Sequence, residues 1–358
     1  MDTLLSARAR AVDARVTSTL AATSGAIVAA GAPAAEIMEQ IAQTSLGGKR
    51  LRAQLIIAAC DAHGSADSDA AVGIGAAVEL FQTAALLHDD VLDDSDTRRG
   101  RPAAHRALAS LHRSNHWMGD GDSFGAAAGI LAGDLALIAA HRALANATAL
   151  IDEARGSTVR TLFADMAELV TVGQYLDMRV AAQPLSALPD QESAIRDVMR
   201  TKTASYSAEF PLALGAACAG ASAEQIDAVR AIGVPVGVAF QLRDDVLGLT
   251  GSPEVTGKPA GDDIREGKRT MLVWRAWTVA DDAGRGFLRQ TLGRRDASNE
   301  DVRAAVAQIS TTDAIDRVEA EIDALARNAV SQLERLALRP AATELLVTLI
   351  HAATNRTS

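Results

Sequence analysis

Segment after segment of this chain carries apolar residues at helical spacing between Gly and Pro breaks, and no stretch sustains an alternation of period two. A chain patterned this way lacks strands to build a sheet and must bury its apolar faces by packing helix on helix. Ala and Leu supply most of the apolar surface, against only six Phe, three Trp and two Tyr, which is the composition of packed helices and makes the expected class all-α. Helices are predicted near residues 4–22, 34–45, 51–63, 69–94, 124–146, 157–182, 191–219, 223–249, 268–281, 283–292, 299–308, 313–336 and 340–353. The breaks are short, the longest running from Gly251 to Gly267 and around Gly119 to Gly125, and no linker, repeat or low-complexity tract appears. Residues 1–358 are therefore expected to form one large helical domain, although the length would allow two.

With 48% hydrophobic and 22% charged residues the chain can bury a sizeable core. A net charge of −10 argues against nonspecific binding to nucleic acid, so anionic ligands need local basic pockets. Met1 is followed almost at once by Arg8, Arg10, Asp13 and Arg15, and the longest uncharged stretch, Val16 to Ala35, is laced with Thr, Ser, Gly and Pro33. No signal peptide and no transmembrane segment are expected, and a cytoplasmic protein is. Cys60 and Cys218 stand far apart in sequence without a Cys-x-x-Cys pattern, offer neither a disulfide framework nor a zinc knuckle, and are read as core.

The run from Glu79 to Gly100 starts as an apolar helix and ends in acid. At about 100° per residue Asp89 and Asp93 share a face with Asp90 beside them, so three carboxylates gather at a helix C-terminus. Mutual repulsion and the negative end of the helix dipole both oppose that arrangement, and a bound magnesium would relieve it. Arg98 and Arg99 follow directly, and hard oxygens beside two guanidinium forks suit a metal-bridged diphosphate. The bland alternative is a solvated acidic helix end; an EF-hand lacks its spaced ligands here.

A second acidic helix end, Phe240 to Gly248 with Asp244 and Asp245, is followed by Thr256 to Lys268. Gly251-x5-Gly257-Lys258-Pro259 does not have the spacing of a Walker A loop, which excludes a P-loop NTPase. Two carboxylates, a Gly-rich segment and two lysines can close over an anion, or form an ordinary exposed loop. Only four of the 35 basic residues are lysines, namely Lys49, Lys202, Lys258 and Lys268. Arg bias by drift would explain their scarcity; a need for a compact ammonium against phosphate would explain their survival.

Taken together these blocks resemble the trans-isoprenyl diphosphate synthases, or polyprenyl synthetases, over nearly the whole chain, and most of all the bacterial geranylgeranyl diphosphate synthases. Asp89-Asp90-Val91-Leu92-Asp93 with Arg98-Arg99-Gly100 is similar to the family's first aspartate-rich motif. Gln241 to Gly248 with Gly257 to Lys268 is similar to the second. Gly47 to Arg52, Gly173 to Asp177 and Lys202-Thr203 match other blocks in the same order. The resemblance implies a single large helical bundle around a central active-site cavity, and a head-to-tail condensation of isopentenyl diphosphate with an allylic diphosphate through an allylic cation. It implies that Asp89, Asp90, Asp93 and Asp244 hold a magnesium cluster, three ions by family likeness, with Asp245 and Asp263 in support. It further implies that Arg98, Lys202 and Lys258 grip the allylic diphosphate, that Lys268 closes its far side, and that Lys49, Arg52, Gln82 and Arg99 receive isopentenyl diphosphate. Thr203 and Gln241 are expected along the cation's path, and a homodimer is expected. All four lysines thus fall on diphosphate positions. Gly248 stands where many relatives carry a third Asp, and Ala53 replaces a frequent Pro.

Product length is expected to follow the helix leading back from Asp89. Ala84 and Ala85 are small where relatives that stop at fifteen carbons commonly carry a bulky aromatic, so that floor, some 7.5 Å down the helix, is missing, and Phe81 and Leu80 are the next bulky residues, about 12 to 13 Å down. This favours a twenty-carbon product, geranylgeranyl diphosphate, unless Phe81 is ordinary core. Farnesyl or longer-chain synthesis, a class I terpene cyclase and a noncatalytic helical subunit are the alternatives.

Overall fold

A computed structural model describes residues 2–27, 31, 33–65, 67–251 and 261–355. In chain order these form α1 (Asp2–Ile27), α2 (Pro33–Ser45), α3 (Leu51–Ala62), α4 (Ser68–Leu92), a two-residue hairpin β1 (Thr97–Arg98) and β2 (Arg101–Pro102), α5 (Ala104–Ser114), α6 (Gly121–Thr148) and α7 (Glu153–Ala181). A 3₁₀ turn (Leu185–Asp190) leads to α8 (Glu192–Val198), a π-helical segment (Met199–Glu209), α9 (Phe210–Cys218) and α10 (Ala223–Thr250). Then come α11 (Asp262–Glu266), α12 (Met271–Val279), α13 (Asp282–Thr291), α14 (Asn299–Ser310), α15 (Ala314–Leu333) and α16 (Pro340–Thr354). The all-α expectation holds. The helix expected over 191–219 is interrupted by π geometry, and α5 lies in a stretch where no helix is predicted.

Two compact units share the chain. The first comprises residues 1–163, 211–226 and 338–345, the second 164–210, 227–337 and 346–358. In the first, α4 is apolar on every side and is buried against α3, α6 and α1, as an all-round hydrophobic helix must be. Glycines allow the close crossings. A Cβ at Gly75 would come within 2.9 Å of Ala53 Cβ on α3, and one at Gly133 of α6 within 2.2 Å of His88 on α4. His88 Nε2 meets the Ile130 carbonyl at 3.1 Å and Asp134 at 3.4 Å, and so ties α4 to α6. Cys60 and Cys218, 158 positions apart in sequence, meet between α3 and α9 as buried thiols that hydrogen-bond one another.

The second unit has its own core, in which Leu242 and Val246 of α10 pack with Met271, Leu272 and Trp277 of α12 and Val318 and Ile322 of α15. A reciprocal capping box between Ser298 and Asp301 starts α14.

By length and composition α4 and α6 could each cross a membrane, an outcome the sequence reading did not foresee. Most of the apolar window of α4 is inside the first unit, whereas less than half that of α6 is.

Candidate active-site residues

In the first unit α4 ends in a Schellman motif. Ser95 N–H bonds back to the Asp90 carbonyl and Asp94 N–H to that of Val91, with Asp94 in the left-handed region at φ 51°. The motif stops the helix one residue past Leu92 and leaves Asp89, Asp90 and Asp93 within its last turn and cap. Asp89 and Asp93 are half-buried, while Asp90 is buried and accepts from Arg98 Nε at 2.9 Å. Arg98 also stands 3.8 Å from Asp89. The hairpin that carries Arg98 and Arg99 thus folds back on the acidic turn and answers part of its charge.

Arg99, left-handed at φ 53°, donates to the Leu46 carbonyl, and its guanidinium lies over Gly47 and Gly48, themselves at φ 76° and 87°. Arg50 follows with φ 51° and opens α3. Its Nε donates to Asp13 at 2.7 Å and its Nη1 to Glu79 at 3.1 Å. Glu79 reaches the amide of Ala53 with its other oxygen, at 3.4 Å, and so caps α3 from α4. Burial opposes the charge of Arg50, but Glu79 and Asp13 outweigh it and raise its pKa. Desolvation, and then the neighbouring cations Arg50, Arg98 and Arg52, lower that of Arg99. Arg50, Arg52 and Arg98 thus stand near enough to Arg99 to disfavour its charge, although Arg50 and Arg98 are themselves paired with carboxylates. Lys49 is exposed, Arg52 is buried, and Gln82 is half-buried on α4. Phe81 is buried and meets Phe163 edge to face at 5.9 Å, which in turn meets His141 at 5.5 Å; Ala84 is buried and Ala85 half-buried.

The second unit assembles a separate polar chain. Lys202 Nζ lies 2.6 Å from Asp177, Thr203 Oγ1 donates to Gln241 Oε1 at 2.6 Å, and Gln241 Nε2 donates to Asp245 at 2.7 Å. Asp244 is half-buried beside buried Asp245 on α10. Burial, with Asp263 adding repulsion, pushes the Asp245 carboxyl up to about 8, despite the Gln241 bond and the nearby Lys268. Lys268 lies 2.7 Å from Glu266 and 3.6 Å from Asp263. A Cβ at Gly248 would come within 2.8 Å of Asp263 Oδ2, so the missing side chain there leaves room for that carboxylate. Arg243 clamps Glu319 with two bonds of 2.5 and 2.6 Å and fixes the end of α10. Lys258 lies outside the described residues.

Among the described residues no three acidic or histidine side chains enclose a metal unaided. Asp89 and Asp93, and separately Asp244, offer the hard oxygens that magnesium accepts. Magnesium characteristically takes one or two carboxylates and completes its shell with water and phosphate oxygens, so the donors present fit it. Sequence reasoning assigned no part to Arg50, Glu79 or Asp177. Glu79 and Asp177 lie within helices and Arg50 just before one, and each has a charged partner 25 or more positions away, of which spacing alone carries no sign.

Residues 35–309 match the polyprenyl synthetase family. The chain is 30% identical to a short chain isoprenyl diphosphate synthase of Methanocaldococcus jannaschii, over 73% of this chain and 72% of that one. It is 32% identical to a geranylgeranyl diphosphate synthase of Saccharolobus solfataricus, over 72% and 71%. Among solved structures, a geranylgeranyl pyrophosphate synthase from Corynebacterium glutamicum, complexed with isoprenyl diphosphate and magnesium, superposes with a TM-score of 0.91 at 35% identity, covering 98% of each chain.

Proposed function

Because this chain belongs to the polyprenyl synthetase family, we propose that it condenses isopentenyl diphosphate head to tail with an allylic diphosphate, in the presence of magnesium, and yields geranylgeranyl diphosphate. The observation that carries this reading is the pairing, within one unit, of the acidic end of α4 with the cluster of Arg50, Arg52, Arg98 and Arg99. One group needs a cation and the other an anion; a metal diphosphate and a free diphosphate supply them.

In the reaction the carbon–oxygen bond of the allylic diphosphate breaks, leaving an allylic cation and pyrophosphate. The isopentenyl double bond then forms the new carbon–carbon bond, and the resulting cation gives up a proton to the released pyrophosphate to restore an alkene. Magnesium, when bound, neutralises charge developing on the departing pyrophosphate. Asp89, Asp90, Asp93 and Asp244, supported by Asp245 and Asp263, are proposed to hold it, and Arg98, Lys202 and Lys258 to bind the leaving group, with Lys268 closing its far side. Lys49, Arg52, Arg99 and Gln82 are proposed to hold isopentenyl diphosphate, which keeps its diphosphate and needs no metal. The side-chain oxygens of Thr203 and Gln241, already joined to one another, can stabilise the cation. The buried Phe81–Phe163 pair is proposed as the floor that stops growth at twenty carbons.

A homodimer is part of the proposal. Phe124, Leu131 and Ile138 recur every seven residues along α6, and all three are exposed, Leu131 and Ile138 by more than half. A heptad stripe of that kind is self-complementary between two copies.

Incubation with magnesium, isopentenyl diphosphate and primers of five, ten and fifteen carbons, followed by product sizing, tests the function. A twenty-carbon diphosphate is expected from each accepted primer. Hydrocarbon formed without isopentenyl diphosphate would identify a cyclase instead, and no turnover a noncatalytic subunit.

A further inference from the structure

The π-helical segment Met199–Glu209 runs for 11 residues, whereas π geometry elsewhere in proteins is mostly confined to single-turn bulges. Its neighbours in the second unit explain how it persists. On α7, a Cβ at Gly173 would come within 2.3 Å of Lys202 N and 2.6 Å of Lys202 Cα. On α10, a Cβ at Gly237 would come within 2.4 Å of Ala204 Cα, and one at Gly233 within 2.5 Å of Glu209 Cα. All three would strike main chain, which cannot rotate aside as a side chain can. One turn beyond each of the first two glycines stands a side chain that grasps the segment: Asp177 bonds Lys202, and Gln241 bonds Thr203. Gly173 and Asp177, like Gly237 and Gln241, are four apart and share a helix face.

The local sequence of α10 is otherwise poor for a helix. Gly233, Pro235 and Gly237 lie inside it, and each Gly forgoes about 1 kcal/mol and the Pro about 3 kcal/mol relative to Ala in a helix interior. Such a sequence persists in a long helix because another element requires the space.

We propose that Gly173 and Gly237, with Asp177, are positioning residues that hold the π-helical segment in the register presenting Lys202 and Thr203 to the allylic substrate. This rests on the reading above, in which Lys202 binds the allylic diphosphate and Thr203 lines the path of the cation. The glycines let the backbone approach, and the polar residue one turn on fixes the side chain it delivers. A methyl group at either glycine drives the segment away from its neighbour and carries both groups off target, and displacements of about 1 Å cost on the order of 100-fold in rate.

The test compares wild type, Gly173→Ala, Gly237→Ala, Asp177→Asn and Gly286→Ala by steady-state kinetics for both substrates, and by calorimetry of magnesium pyrophosphate binding. Gly286 sits in α13 with no atom near its missing Cβ and controls for the general effect of Gly→Ala in a helix. Wild-type condensation establishes the underlying reading; its absence would refute that reading and leave the glycine variants to be judged by calorimetry alone. Expected for Gly173→Ala and Gly237→Ala are a 10- to 100-fold fall in kcat, a raised KM for the allylic diphosphate, an unchanged KM for isopentenyl diphosphate and weaker pyrophosphate binding. General destabilisation would instead lower the active fraction and leave both KM values unmoved. Should the alanine variants not fold, Asp177→Asn decides, since it is isosteric and adds no Cβ: a raised allylic KM supports the proposal. Wild-type kinetics and pyrophosphate affinity in folded glycine variants, or in Asp177→Asn where those do not fold, overturn it.

Discussion

Glu79 shows how a buried charge can organise a loop it does not belong to. It accepts from Arg50 and from the amide of Ala53, and so secures the first turn of α3 with the left-handed residues that precede it. Removing one partner of a buried pair strands the other, at about 3–5 kcal/mol. Glu79→Ala is therefore expected to lower the unfolding free energy by about that amount in urea titrations, well beyond the effect of removing the exposed Asp69 of the Arg15 pair, for which at most about 1 kcal/mol is expected. Asp245 carries a pH dependence of definite sign. Its carboxyl is raised from an ordinary value near 3.8 to about 8, chiefly by burial, so between those values the folded metal-free protein keeps a proton that the unfolded chain has released. Its contribution to stability is greatest below the lower value and is lost as pH rises towards the upper one. Denaturation midpoints of wild type and Asp245→Asn across pH 5 to 8 should diverge, with wild type losing ground as pH rises; parallel curves would contradict the assignment. The acidic ends of α4 and α10 were legible in the sequence, because carboxylates that follow an apolar helical run mark where that run stops. Neither the burial of Asp245 nor the meeting of Cys60 with Cys218 was, since both depend on which distant helices pack together.

At the level of elements, periodicity located most helices to within a few residues, because helices that bury one face or all faces write that burial into apolar spacing. It missed α5, an 11-residue helix whose buried face, Ala104, His105, Leu108, Ala109 and His112, carries only one large apolar residue. It also read 191–219 as one helix, because the segment's apolar spacing does not separate π from α geometry and the glycines packed against it lie on α7 and α10. Two elements carry predictions of their own. The stripe on α6 should hold two copies together: Leu131→Glu with Ile138→Glu is expected to convert a dimer to a monomer in light scattering without loss of helix by circular dichroism. Vesicle binding that is abolished by the same change in a protein monomeric from the outset would assign the stripe to lipid. The α4 floor is tested by Phe81→Ala, for which products beyond twenty carbons are expected on chromatography, alongside a stability loss of about 3–5 kcal/mol for the excised ring. Unchanged product length would leave Phe81 as core packing with Phe163.

For the whole molecule the open question is cooperativity, because the chain forms two compact units where the sequence suggested one domain. The units are not successive along the chain. It passes from the first to the second inside α7, returns at Pro211, leaves again inside α10, and makes two further passages near residues 338 and 346. Four of these five passages lie within helices, α7, α9, α10 and α16, and separating the units by melting one of them would break backbone hydrogen bonds inside each. Helices propagate readily but nucleate at high cost, so a helix severed at mid-length loses support on both sides of the break. Independent domains, by contrast, are joined by exposed linkers that few contacts cross. One unfolding transition is therefore expected, with calorimetric and van't Hoff enthalpies in agreement for the monomeric α6 variant, where subunit dissociation does not intervene. Buried Cys60 and Cys218 of the first unit and buried Trp277 of the second supply local probes: thiol labelling, and fluorescence of a Trp117→Phe variant whose remaining tryptophans both lie in the second unit, should report the same midpoint. Separate midpoints would show that the two units unfold as domains in their own right, and that the passages through α7, α9, α10 and α16 melt before either core.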